Sequence, residues 1–536
     1  MKKNLKVKLV TFEDGIVCIG FRRISSFLKS QFPDVSTYIY NVSGIGVHLK
    51  NIFYAAKYDD VRINDELIEA LGDADVVGLS GMSKFARHIS VAIEKLRILA
   101  REKNINMPFI IWGGIHATVF PQDAIQYVDA VCIGEGELAC AELLKRMELG
   151  LAIDDTPSFW IRKGDRIIKN PCIKLMGQEQ LSHMPFQDYG FDIYYATHKE
   201  LARLDKKRYF YQMGSKYTTM WSLGCPFHCT YCSNSRFIAN NPENARIRYP
   251  AAEHIIEELI LVTKEHEYIQ FIEFEDDNFM LIEDEDIRLF CELYAKYVKL
   301  PFFVAGIHPL TLDRDKISML LKAGMRKVRM GIQTGSEHGL SFYGRNTPTK
   351  KIIEAVDYLS SLYPRIVPPF YDIILDNPVE SEKDKMETIS LLYQLSRPFF
   401  LYIYSLRIIP GTSLYDFAEK NPKIKFIPVE KSYQLLADAR YAFLAYLLAL
   451  CRPPLFIFKM ALALSRYNLI TKPLLVLIKI IYIIKRGYWE MRISNLQPLC
   501  MLSPGIAYFL YSLKAKDKKS ARMQNIPSPL KKQSSF

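Results

Sequence analysis

The sequence predicts an α/β protein in two modules, a doubly wound parallel sheet followed by a partial (β/α)6 barrel, with a helical C-terminal region beyond them. Three observations predict it. Short apolar runs alternate with amphipathic stretches through residues 1–150. Six further strand-helix repeats follow between Thr218 and Glu419. From Tyr441 onward, apolar runs are broken by Lys, Arg and Pro. Short strands separated by amphipathic helices are the pattern of a parallel sheet covered on its faces. The chain has 536 residues, 49% of them hydrophobic, enough for two or three domains with real cores.

In the first module, 1–150, the strand candidates are 7–10, 76–80, 109–112 and 130–133. Between the second and third, 86–102 places Ile89, Ile93, Leu96 and Ala100 on one helix face. Residues 151–215 read as a linker holding a hairpin, 158–162 and 166–169, turned at Lys163-Gly164-Asp165. The second module, 216–425, offers strands at 219–222, 269–274, 302–305, 327–330, 371–375 and 402–406. A barrel of this kind carries its chemistry at the C-terminal strand ends. Residues 426–513 form the apolar and basic helical region, and 514–536 a disordered basic tail.

Charge is unevenly spread. The net +12 resides in residues 441–536, where fifteen Lys and Arg face only Glu490 and Asp517, so the rest of the chain is close to neutral. The basic character therefore belongs to the tail and is no sign of nucleic-acid binding. Ten cysteines, scattered except for one triplet, do not resemble a disulfide framework and point to a reduced, cytoplasmic protein. The N-terminus has lysines but only a strand-length apolar run, broken by Glu13 and Asp14, so no secretory signal is expected.

The triplet is Cys225, Cys229 and Cys232, at C-x3-C-x2-C spacing. A closed zinc site or an ordinary cubane takes four protein ligands. Three thiolates on a [4Fe-4S] cluster leave one iron open to a small molecule. A zinc knuckle completed by His228 or another cysteine, in a metal-binding protein without catalysis, is the other reading. In the first module, loops at strand ends are rich in glycine: Ser80-Gly81-Met82, Gly113-Gly114-Ile115-His116-Ala117-Thr118 and Gly134-Glu135-Gly136-Glu137. Glycine there lets the backbone approach a large ligand closely, whether a cofactor or a nucleotide.

The cysteine spacing, with Tyr231 just before the third cysteine, resembles the signature of the radical S-adenosylmethionine (SAM) superfamily. The resemblance implies a TIM-like radical SAM barrel in which Cys225, Cys229 and Cys232 hold the cluster. SAM would chelate the fourth iron and be cleaved to a 5′-deoxyadenosyl radical. It further implies SAM contacts from Tyr231, Glu275, Asp276, Gln333, Ser336 and Arg345. The N-terminal loops resemble the Rossmann-like cobalamin-binding domain found ahead of that barrel in one subfamily. This implies cobalamin contacts from Ser80, Met82, Gly113, Gly114, His116, Thr118, Gly134, Glu135 and Gly136. Two departures stand out. The D-x-H-x-x-G element that supplies a lower axial histidine is absent, so a His-off mode is expected, and Asp376-Asn377-Pro378-Val379-Glu380-Ser381 stands where relatives show G-x-P-G-E-T.

The implied activity is methylation of an unactivated carbon, with a cobalamin-linked cyclisation or rearrangement as the alternative. The implied partners are a reductant of flavodoxin or ferredoxin type and a small-molecule or lipid-like substrate, with no nucleic acid. For residues 442–536 two readings stand: helices lying peripherally on the inner face of a membrane, or a helical cap on the barrel mouth.

Overall fold

The run at 7–12 is mostly apolar without alternation, apart from Lys8 and Thr11, and so belongs to a strand covered on both faces. In the computed structural model, which describes residues 4–44, 61–429, 439–493, 499–500 and 503–518, this strand, β1 (Val7–Glu13), is central to a nine-stranded sheet. The other strands are β2 (Val35–Asn41), β3 (Val76–Gly81), β4 (Phe109–Gly113), β5 (Ala130–Cys132), β6 (Phe159–Lys163), β7 (Arg166–Lys169), β8 (Tyr194–Ala196) and β9 (Leu201–Arg203). Their order is β7-β6-β5-β4-β3-β1-β2-β8-β9. The core strands β5 to β2 are parallel, and the outer hairpins are antiparallel. Strand order reverses between β1 and β3, which creates a crevice beyond their carboxyl ends.

Helix Ala86–Glu102 forms as its periodicity predicts, burying Ile89, Ile93, Leu96 and Ala100. The hairpin read in the linker also forms. Together with β8 and β9 it extends the first sheet at both edges, so residues 159–203 belong largely to that sheet and do more than connect.

The second sheet is six parallel strands in sequential order, curled into a half-barrel: β10 (Lys216–Thr219), β11 (Phe271–Phe274), β12 (Phe302–Ile307), β13 (Met325–Gln333), β14 (Phe370–Asp376) and β15 (Phe400–Ser405). The first strand ends at Thr219, where the sequence placed its start. Residues 220–222 instead enter the cysteine loop.

The C-terminal helices Ala439–Leu450 and Asn468–Met491 cover β15. The Tyr482 hydroxyl donates to the Leu401 carbonyl and accepts from its N–H, both at 2.8 Å, satisfying backbone groups of an edge strand. Glu490 accepts from Arg486 Nε at 3.1 Å and Lys327 Nζ at 3.4 Å, and Ile493 packs on Phe271 and Phe303. All these partners lie near the starts of their strands. The helical region therefore closes the bottom of the half-barrel, opposite the cysteine loop, and corrects the expectation of a cap on the mouth. Helix Pro504–Lys518 runs into the segment expected as a disordered tail, and 519–536 lie outside the described residues.

Candidate cofactor site between the two sheets

The cysteine loop is held in place by backbone and side-chain hydrogen bonds on both sides. Asp276, at the end of β11, accepts from the N–H and hydroxyl of Ser222 (2.5 and 2.6 Å) and from the Trp221 N–H. Leu223 pairs with Arg248, and Cys225 N–H donates to the Asn244 carbonyl. Gly224 has φ +93°, and a Cβ there would sit 2.2 Å from the Arg246 carbonyl, so only glycine allows this approach. Thr230 bridges the far side, donating N–H to Tyr343 and hydroxyl to Phe342 while its carbonyl accepts from Leu414.

On this frame Cys225 and Cys229 are buried and Cys232 is half-buried, all as free thiols. Burial pushes Cys225 up to about 11 and Cys232 up to about 12, and the neighbouring cysteines and Asp277 add to both shifts. Crowded thiols of this kind become thiolates only with a compensating cation. The Arg345 guanidinium supplies part of it, donating to Cys229 Sγ at 3.7 Å and to the Gly331 carbonyl at 2.8 Å. Among the described residues no three His, Cys, Asp or Glu side chains converge on a single metal ion. A cubane asks for a different arrangement, one thiolate on each of three irons, and the donor set fits it.

The residues expected around SAM divide into two groups. Tyr231, Gln333 and Arg345 come together beside Cys229: Tyr231 stacks edge-on with Tyr343, and Gln333 folds over Gly331. Gln333 also has φ +73°, backbone strain of the kind held at ligand sites. The other three serve elsewhere. Asp276 caps the cysteine loop, Ser336 caps helix Glu337–Phe342 and binds Asp384, and Glu275 turns toward Arg329 in the half-barrel at 3.7 Å.

Two further residues line the same mouth. The His308 ring stacks on Phe227 of the loop at 4.1 Å, and its Nδ1 accepts from Leu310 N–H. Its Nε2 and the Asn278 Nδ2 are buried without partners. Burial, with Arg345 nearby, holds His308 down to about 3, so it is a neutral donor. Buried donors of this kind ask for an acceptor, and a polar nucleoside ligand supplies one.

In the first module Gly114 has φ +85°, and a Cβ there would meet Ser80 Oγ at 2.6 Å. Gly134 has φ +83° with open space where a Cβ would stand. Thr118 ties these loops together, donating to the Gly114 carbonyl and accepting from Gly134 N–H. His116 is buried, with Nε2 3.0 Å from Asp123 and its ring against Trp112, so it holds the loop's shape. Ser80, Met82 and Gly113 border the crevice half-exposed, and Gly136 packs on Ile24. Glycine backbone and small hydroxyls at the switch point fit the nucleotide tail of cobalamin.

The two modules meet at these loops. Asn240, on the helix Ser233–Asn240 that follows Cys232, donates to the Thr118 carbonyl. Gly411 fits against Val119, where a Cβ would come within 1.7 Å of its carbonyl oxygen. Glu135 pairs with Arg248 at 2.5 Å. A narrow gap between the modules is lined by Thr118, Gly134 and Glu135 on one side and Phe237, Asn240 and Asn244 on the other.

Comparison with known proteins agrees with this geometry. Residues 25–144 match the B12 binding domain family and 220–392 the Radical SAM superfamily. An uncharacterised methyltransferase of Pyrococcus horikoshii is 26% identical over 68% of this chain and 75% of its own length. The anaerobic magnesium-protoporphyrin IX monomethyl ester cyclase of Rubrivivax gelatinosus is 23% identical over 58% of this chain and 55% of its own, so the chain spans only about half of that relative. Among solved structures, the cobalamin-dependent S-adenosylmethionine radical enzyme OxsB, with aqua-cobalamin and S-adenosylmethionine bound, superposes with a TM-score of 0.61. It is 14% identical and aligns over 96% of this chain and 75% of its own.

Proposed function

We propose, from the premise that this chain is a member of the radical SAM superfamily carrying a B12 binding domain, that it methylates an unactivated carbon of a small molecule. The observation that carries the proposal is the three-thiol loop set against a glycine-lined crevice of a second, cofactor-type sheet. When bound, the cluster and SAM supply a hydrogen-abstracting carbon radical, and cobalamin supplies a transferable methyl group.

The residues of this chain provide the geometry. Cys225, Cys229 and Cys232 would hold the cluster through their three thiolates. Arg345 offsets thiolate charge and is placed to pair with the SAM carboxylate, while Tyr231 and Gln333 border the same space and His308 and Asn278 offer their free donors. Ser80, Gly113, Gly114, Thr118 and Gly134 receive the cobalamin tail. No histidine of a D-x-H-x-x-G element is present and His116 is engaged by Asp123, which supports the His-off mode. Glu135 reaches the opposite module and acts as a tether. The electron donor is of flavodoxin or ferredoxin type.

The cyclase among the relatives favours a second reading, ring closure or rearrangement without methyl transfer. Anaerobically purified protein, loaded with cobalamin and given SAM deuterated at its methyl group, separates the two once a substrate is in hand. Labelled product with 5′-deoxyadenosine is expected, and product without added methyl overturns the proposal. Cys225→Ala should abolish 5′-deoxyadenosine formation while cobalamin stays bound.

A further inference from the structure

We propose that the outward face of the helices Leu455–Leu464 and Asn468–Met491 docks this protein onto an anionic lipid bilayer, independently of the reaction it performs. The inner face of the longer helix is accounted for by Thr471, Tyr482 and Glu490, all buried against the half-barrel and its neighbouring helices. Its outer stripe falls at helical spacing and is largely apolar: Leu469, Val476, Leu477, Ile480, Ile484 and Tyr488, with Lys472 after the first. Leu469 is 93% exposed and Ile484 67%. Phe456 on the preceding helix is 72% exposed, and Leu455 and Met460 beside it are more than half exposed. A surface helix normally turns its charged side to water. This one turns an apolar stripe to water instead, and the two helices present on the order of 1,000 Å² of apolar surface where a typical monomer shows a few hundred.

Charge selects the occupant. Between Tyr441 and Trp489 there are seven Lys and Arg and no Asp or Glu. Arg486 turns inward to Glu490, while Lys459, Arg466 and Lys472 are exposed among the apolar positions. Long basic side chains can lay their stems along an apolar contact and keep their heads at the headgroup level. A second copy of the chain is a poorer fit, because an isologous dimer would set the same cations against each other. Among the described residues no helix is long and apolar enough to cross a membrane, so the helices lie on the surface. Since Arg486 and Glu490 sit under the strand starts, docking leaves the opposite end, with the cysteine loop, open to reductant and substrate.

The test is flotation of the full chain with two vesicle types, phosphatidylcholine alone and phosphatidylcholine containing phosphatidylglycerol. Flotation with the anionic vesicles, weakened by salt, is expected. The triple variant Val476→Glu, Ile480→Glu, Ile484→Glu changes only outward positions and should abolish it while retaining iron and SAM cleavage. Removing three cations by Lys459→Ala, Arg466→Ala and Lys472→Ala should weaken partitioning about a hundredfold, at roughly fivefold per charge. No flotation of the parent chain, or equal flotation on both vesicle types, overturns the proposal. A dimer in sedimentation velocity that the glutamate variant dissolves, without vesicle binding, assigns the face to a second copy and overturns it as well.

Discussion

The tether between Glu135 and Arg248 should be a measurable coupling between the crevice of the first sheet and the cysteine loop of the second. Arg248 contacts Glu135 through both terminal nitrogens, at 2.5 and 3.3 Å, and donates to the Met176 carbonyl. Its backbone pairs with Leu223, two residues before Cys225. Removing one partner of a fully buried pair costs about 3–5 kcal/mol. Arg248 and Glu135 side chains remain 11% and 20% exposed, so water recovers part of that, and Glu135→Ala should cost about 2–3 kcal/mol. In a unit of this size that lowers the melting temperature by roughly 5–10 °C. The assay is a double-mutant cycle, Glu135→Ala, Arg248→Ala and both together, followed by calorimetry on apoprotein. The expected coupling is about 2 kcal/mol, with weaker cobalamin retention in Glu135→Ala and unchanged iron content. Effects that add within about 0.5 kcal/mol would show the two residues to be independent and refute the tether.

Three further outcomes follow from the same geometry. Arg345→Lys loses the fork that reaches Gly331 and Cys229 together; it should raise the SAM dissociation constant at least about tenfold, about 1.4 kcal/mol, with iron content unchanged by colorimetric analysis. Gly306 has φ +68°, and a Cβ there would lie 1.9 Å from the Asp276 carbonyl, so Gly306→Ala should destabilise by about 3 kcal/mol or more in thermal unfolding; Gly487→Ala, on an open helix position, should gain about 0.5–1 kcal/mol. Burial pushes the Glu380 carboxyl up to about 7 from 4.5, with its Oε2 unpartnered. The folded chain therefore keeps a proton that the unfolded chain releases between those values, and stability falls as pH rises through that window, by up to about 3 kcal/mol. Glu380→Gln should raise the melting temperature at pH 8 and leave it unchanged near pH 4, and a gain of equal size at both would refute the assignment.

The cysteine loop was fully legible in the sequence, because its chemistry depends on the spacing of three residues in one segment. The helix at 86–102 was legible for a similar reason, one apolar face at helical period. Strand β2 escaped notice: its buried half, Thr37 to Asn41, mixes polar and aromatic side chains, and Thr37 and Asn41 are buried through hydrogen bonds to Ser25 and Tyr195. The SAM-side assignments split for a physical reason. Position after a strand says which residues lie at the mouth, but not which way each side chain turns. Asp276 turns back to cap the cysteine loop, Glu275 turns inward, and only Asp277 influences the cysteines. His308 carried no local motif, since its significance lies in a donor left unpaired by tertiary packing.

The interior of the half-barrel adds a constraint on how the bottom and the mouth communicate. Lys216 and Glu273 pair at 2.6 Å, Lys327 bonds Glu490 below, and Arg329 binds Asp372 and the Tyr404 hydroxyl above. Burial alone would raise the Glu490 carboxyl, but Arg486 and Lys327 hold it at about 2. A charged column inside a barrel is stable only while each member keeps its partner, because an uncompensated buried charge costs several kcal/mol. The C-terminal helix supplies Glu490 and Arg486 to the foot of that column. Its removal would leave Lys327 without this carboxylate at the foot of the strand that ends in Gln333. The helix that turns an apolar face outward therefore also fixes, from below, the strand on which the cofactor mouth is built.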